Sequence, residues 1–220
     1  GNPVAANFSF TITVTDNTHP TITCPGNQTA NVDVSCDFSI PDYTPLATAA
    51  DNCGTANVTQ VPAAGTIVSV GTTNITLTVT DGNSNTARCN FDVVVSDNTP
   101  PTLVGCPSDI DLFTNDDGGA NCEVTVNYTA PTFNDNCDGT GTATLVSGPA
   151  SGTSLNVSGS PYTVVYSYTD VAGNPVAANC SFTITVSDNT NPTITCPGNQ
   201  TANVDASCDL SIPDYTPLAT

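Results

Sequence analysis

The chain is 220 residues long, with 20 acidic side chains against one basic residue, Arg88, and a formal charge of −19. Lys is absent, so the surface lacks the cations that nucleic acid and anionic lipid need to neutralise their phosphates. No apolar run reaches the roughly 20 residues of a membrane span, and the ten cysteines suit an oxidising compartment better than a cytosolic one.

Taken in chain order, residues 1–15 read as the end of one unit, closing on the alternating stretch Phe8–Thr15. A linker, DNTHPTITCP (Asp16–Pro25), opens the next. A short strand follows (Gln28–Asp33), then Cys36 at the start of another, then a DNC turn (Asp51–Cys53). The unit ends in two alternating strands, Asn74–Asp81 and Cys89–Ser96. The same order returns from the linker DNTPPTLVGCP (Asp97–Pro107): a strand at Asp109–Phe113, Cys122, the turn Asp135–Cys137, and final strands Tyr162–Asp170 and Cys180–Ser187. A third linker, Asp188–Pro197, starts a further copy. The chain thus divides into 1–15, 16–96, 97–187 and 188–220.

The repetition is close. Gly1–Thr48 recurs as Gly173–Thr220, offset by 172 residues and differing at five positions: Phe8/Cys180, Thr15/Ser187, His19/Asn191, Val34/Ala206 and Phe38/Leu210. Two related modules of unequal length make up that period, and the sequence reads as a window on a longer array. Ile75, Leu77 and Val79 share one face of their strand, as do Phe91, Val93 and Val95 in the next and Phe182, Ile184 and Val186 in its later counterpart. Period-two alternation with one wet face predicts tandem antiparallel β-sandwiches. Tyr162, Tyr166 and Tyr168 alternate too and are expected in the core of the second module.

The DNTPP linker, CP start, DNC turn, TD-x-x-GN loop and C-x-F-x-V-x-V final strand together resemble the hyalin repeat. That resemblance implies immunoglobulin-like extracellular modules stacked into an extended rod, with a role in adhesion and spacing and no catalytic activity. The Thr- and Asn-rich composition with extra cysteines is most similar to giant surface adhesins of Bacteroidota, including gliding-motility filaments. Phe8 departs from the pattern, which puts one disulfide of the preceding module in doubt.

Four cysteines per module allow three pairings. If the DNC turn and the start of the last strand lie at one pole, Cys53–Cys89 and Cys137–Cys180 are the bonds within modules. Cys36 then lies at the far pole, about 23 Å along a straight strand from Cys24, too far for a disulfide. The expected bonds between modules are therefore Cys36–Cys106 and Cys122–Cys196, with Cys24 and Cys208 pairing outside the window. A kinked first strand would instead permit Cys24–Cys36.

Asp97 with Asp135 and Asp170, flanked by Asn134 and Asn174, forms a candidate calcium set, and Asp16, Asp51 and Asp81 form its counterpart. Calcium takes six to eight hard oxygens in irregular geometry; the competing reading is that Asp-Asn pairs only shape turns. No other cofactor is expected. The longer insert Phe113–Cys122 carries Asp116-Asp117-Gly118-Gly119, read as a solvated hairpin tip in preference to a ligand loop. No phosphate loop or HExxH motif occurs, and His19, the single histidine, is replaced in the other copies. The chain reads as no enzyme. The leading function is a structural extracellular filament or stalk of a repetitive cell-surface adhesin, serving adhesion or surface motility. Its partners would be neighbouring modules, other filament chains, and surface glycans or solid surfaces. The alternative is a glycan- or protein-binding module array.

Overall fold

The computed structural model describes residues 1, 8–116, 118, 122–212 and 214. The first full module carries β1 (Thr21–Thr23), β2 (Gln28–Asn31), β3 (Phe38–Ser39), β4 (Thr48–Ala50), β5 (Asn57–Val61), β6 (Ile67–Val68), β7 (Gly71–Thr80) and β8 (Thr86–Ser96). The second carries β9 (Thr102–Val104), β10 (Ile110–Phe113), β11 (Glu123–Thr125), β12 (Thr132–Asp135), β13 (Gly139–Thr142), β14 (Thr144–Ser147), β15 (Ser154–Asn156), β16 (Tyr162–Ser167) and β17 (Cys180–Ser187). Two three-residue 3-10 turns are the only helical pieces among the described residues. The protein is all-β, built as tandem β-sandwich modules.

Packing divides the chain into two compact units. The first comprises Gly1–Pro107, Thr129–Gly148 and Val164–Phe182. Its main sheet has the order β2-β8-β7-β5, and the pairs β1-β4 and β3-β6 supply further strands. The β-branched, alternating sequence of β7 and β8 suits a long hairpin, and the two strands pair from Gly71↔Val95 to Thr80↔Thr86. Asp81 and Asn85 close it, with Ser84 in the left-handed region at φ 74°. The inward set Ile75, Leu77, Phe91, Val93 and Val95 is buried with Val32, Ile40 and Tyr43, and Tyr43 meets Phe91 edge-on at 5.2 Å between ring centres. This unit also contains β12, antiparallel to both β9 and β13, and the antiparallel pair β14-β16.

The second unit comprises Ser108–Tyr128, Pro149–Thr163 and Thr183–Thr220. Here β10 runs parallel to β17 and β11 runs antiparallel to β15. Val124, Val126, Leu155, Ile184 and Val186 are buried. The insert turn begins with Asp116 accepting the Phe113 N–H at 2.7 Å; Asp117 and Gly119 of the proposed tip lie outside the described residues.

Two expectations change. The sheets are not wholly antiparallel: β2 lies parallel to β8, as β10 does to β17. Alternation of side chains is blind to strand direction, so the sequence pattern could not reveal this. Of the three tyrosines only Tyr166 is buried; Tyr162 and Tyr168 are half-buried. Tyr168, two residues before Asp170, lies at the edge of the core and stacks face to face on the buried Phe133, with 3.6 Å between ring centres.

Candidate functional site

The parallel pairs decide the cysteine chemistry. Gln28 stands opposite Val93, so Cys24, four residues before Gln28, comes level with Cys89, four before Val93. They form a disulfide with 5.7 Å between Cα atoms. Ile110 stands opposite Ile184, which in the same way brings Cys106 to Cys180, with 5.6 Å between Cα atoms. The expected Cys53–Cys89 and Cys137–Cys180 bonds are therefore not formed. The far-pole cysteine does bridge two modules, but to a different residue: Cys36 bonds Cys137 of the next DNC turn, with 4.9 Å between Cα atoms. Cys106, expected as its partner, is already held by Cys180. Nor is Cys122–Cys196 formed; Cys53, Cys122, Cys196 and Cys208 are unbonded and exposed.

The turn that presents Cys36 is built on Asp33. Its Oδ1 accepts the N–H groups of Ser35 and Asp37, and its carbonyl accepts the N–H of Cys36. Cys36 sits at φ 61°, a left-handed conformation costing a non-glycine residue roughly 1–2 kcal/mol. Across the joint Asn136 donates from Nδ2 to the Asp33 carbonyl at 3.1 Å. The sulfur bridge and this hydrogen bond tie the same two turns.

Beside the bridge lies the first acidic cluster. Asp97, Asp135 and Asp170 each place a carboxylate oxygen within 4.8 Å of the other two, and all three residues are buried. Asp97 Oδ1 accepts from Thr99 N–H, and Asp135 Oδ1 accepts from the N–H groups of Cys137 and Asp138. Asp170 accepts one hydrogen bond on each oxygen from Asn174, leaving lone pairs free, and Asn174 Nδ2 also reaches the Asp97 carbonyl at 3.1 Å. Asp97 Oδ2 and Asp135 Oδ2 remain buried with no hydrogen-bond donor.

The same construction occurs at Asp16, Asp51 and Asp81, also within 4.8 Å. Asn85 takes the part of Asn174, binding Asp81 and the Asp16 carbonyl. Asp16 Oδ2 and Asp51 Oδ1 are the buried oxygens without donors. Burial pushes the Asp81 carboxyl up, but hydrogen bonds from Asn85 and Asn83 and the charge of His19 outweigh it and leave the group below its ordinary range. The Cys53 thiol is pushed up, first by the negative charge of Asp16, then by burial and Asp51.

A buried anionic oxygen without a donor is costly, and three carboxylates at this spacing repel one another. A hard divalent cation satisfies both problems, and the oxygen-only donor set suits calcium. Asp97, Asp135 and Asp170 would hold one ion; Asp16, Asp51 and Asp81 would hold another.

One feature of the site escaped sequence reasoning. Tyr168 donates to Asp138 Oδ2 at 2.7 Å, and the same oxygen accepts the Val171 N–H. That hydrogen bond, with burial and the charges of Asp138, Asp135 and Asp170, pushes the Tyr168 phenol up to about 12. The first module has Gly54 and Val79 at these places, so the aligned copies carried the signal as a paired difference.

Two curated proteins match this chain over most or all of its length. Hyalin of Strongylocentrotus purpuratus is 35% identical over 227 aligned residues, covering 100% of this chain and 18% of that protein. Hyalin of Lytechinus variegatus is 34% identical over 206, covering 89% and 36%. The chain thus spans well under half the length of these curated relatives. Among solved structures, human protocadherin-24 EC1-2 covers 78% of this chain and 100% of its own at 14% identity, with a TM-score of 0.35. Protocadherin gammaB7 EC3-6 covers 88% and 56% at 12% identity, with a TM-score of 0.36. The HYR domain matches residues 15–95 and again 96–186, and the chain belongs to the HYR domain family.

Proposed function

We propose that this chain is a load-bearing stretch of an extracellular filament or stalk, part of a repetitive cell-surface adhesin. Family membership supports a non-catalytic adhesion module, and the disulfides suit an extracellular location. The observation that carries the mechanical reading is the covalent route through the two modules. From Cys24 it crosses to Cys89, follows the linker to Cys106, and crosses again to Cys180. Drawn out fully, the stretch from Cys89 to Cys106 spans about 60 Å at roughly 3.5 Å per residue. Without disulfides the stretch from Cys24 to Cys180 would pay out roughly 550 Å at the same rise. The Cys36–Cys137 bond adds a second covalent route across the joint. Tension is thereby kept on the linker, beside the acidic cluster where calcium would neutralise the joint.

The partners proposed are neighbouring modules, other filament chains, and surface glycans or solid surfaces. The finer placement among Bacteroidota surface adhesins and gliding filaments rests on composition and the extra cysteines. A glycan-binding platform finds less support, because Tyr166 is buried and Tyr168 is engaged with Phe133 and Asp138.

Single-molecule stretching tests the proposal. Under oxidising conditions no unfolding step should exceed the few tens of ångströms that the linker can release. After reduction, steps of roughly 280–320 Å per module are expected from the module lengths at about 3.5 Å per residue. Long steps from the oxidised chain would defeat the load-bearing reading.

A further inference from the structure

Each full module has four cysteines, and the structure uses them unevenly. Cys24 and Cys89 close the first module on itself, as Cys106 and Cys180 close the second. Cys36 and Cys137 form the bond between modules. Cys53 and Cys122 are left over, yet each duplicates one half of that bond. Cys53 donates its N–H to Asp51 at 2.9 Å, as Cys137 does to Asp135, and the sulfur of each lies within 3.5 Å of the preceding Asn side chain. Cys122 has φ 57°, against 61° for Cys36, and stands at the same place in its module.

We propose that Cys53 and Cys122 are half-cystines of the same joint bond, each completed by another HYR module. Cys122 takes the DNC-turn cysteine of a module that follows, and Cys53 takes the left-handed-turn cysteine of one that precedes. The bonded pair identifies the occupant. Beside Cys36 the groove is walled by Cys137, Asp138, Val171 and Ala172, with Asp97 from the linker. Beside Cys122 the groove has the equivalent linker residue, Asp188, together with Thr190, Asn191 and Pro192, and no DNC turn stands against it among the described residues. In a module of the first type the missing wall is Cys53, Gly54, Gly82 and Asn83, the residues aligned with those beside Cys36.

The chemistry is ordinary thiol–disulfide exchange. The two thiols pass two hydrogen atoms to a small-molecule disulfide such as glutathione disulfide, which leaves as two glutathione thiols. Four cysteines per module are then all accounted for: two close the module, one reaches forward and one reaches back. The assignment stands whether or not the array bears load.

The test uses the full chain extended after Thr220 by a second copy of its residues 49–187, which continues the 172-residue period. After refolding in glutathione buffer, unreduced protein is alkylated and weighed. The unextended chain should show four thiols, at Cys53, Cys122, Cys196 and Cys208. The extended chain should show two, at Cys53 and the copied Cys122, although it contains more cysteines. A Cys122→Ser substitution in it should raise the count to three by releasing the copied Cys53. A count of four in the extended chain, with Cys122 and the copied Cys53 both alkylated, overturns the proposal; so does a count that falls, instead of rising, on the Cys122→Ser substitution.

Discussion

Removing the Cys24–Cys89 bond tests the parallel register directly. The double substitution Cys24→Ala/Cys89→Ala opens a loop of 65 residues. Chain-entropy reasoning, which scales with the logarithm of loop length, values that closure at about 4.3 kcal/mol. A module of this size has a total stability of roughly 4–12 kcal/mol, so the bond supplies a large share of it. At roughly 4–8 °C per kcal/mol, the first module's melting midpoint should fall by at least about 15 °C, followed by circular dichroism without reductant. The matched control is Cys53→Ala. Cys53 is exposed and unbonded in this chain, and its loss should cost no more than about 0.5 kcal/mol. The pairing read from the sequence reverses this expectation, because it makes Cys53 the partner of Cys89. A midpoint for the double variant within about 3 °C of the parent, or a Cys53→Ala variant as unstable as the double one, would refute the register argument.

Calcium in large excess should raise the melting midpoint, by about 2.7 kcal/mol of stability at a hundred times the dissociation constant; Asp135→Asn should abolish the part of that gain due to the cluster of Asp97, Asp135 and Asp170, and a calcium-independent melt of the parent would count against the site. Tyr168 predicts an alkaline effect. Its folded phenol titrates near 12, above its ordinary value of 10, so the contribution is complete below about pH 10 and is lost as pH rises towards 12. Urea midpoints measured across that window should fall more steeply for the parent than for Tyr168→Phe, and parallel curves would rule out the Asp138 hydrogen bond as the cause.

The fold was legible where side-chain period alone decides it. The alternation of Ile75, Leu77 and Val79 against threonines identified β7, and the same pattern identified β8 and β17. The acidic residues could be grouped because two copies of the module place Asp at matching linker, turn and loop positions. The disulfides were not legible in the same way. Whether Cys89 faces Cys24 or Cys53 depends on which strand neighbours β8 and in which direction it runs, and a short strand such as Gln28–Asn31 has the same alternation read either way. The register supplies the missing fact: equal four-residue offsets from Gln28 and Val93 bring the two sulfurs level. The error at Cys36 followed from the first, since Cys106 was free to be its partner only while Cys180 was given to Cys137.

The differences between the two modules bear on what the joint requires. Asp16, Asp51, Asp81 and Asn85 have counterparts in Asp97, Asp135, Asp170 and Asn174, down to the hydrogen bond from the Asn side chain to the linker carbonyl. Immediately beside this common frame, Gly54 is replaced by Asp138 and Val79 by Tyr168, and the new pair satisfies itself by hydrogen bonding. The substitution adds a fourth carboxylate near an already acidic cluster, and the Tyr168 hydroxyl and Val171 N–H supply the donors that make it tolerable. The two joints of the period therefore share their acids and their linker anchor but not their charge. If calcium occupies both, the second module holds its ion against a more negative wall, which favours tighter cation binding there than at Asp16, Asp51 and Asp81. An array alternating such modules would lock its joints in two steps as calcium rises, with the Asp138-bearing joint first.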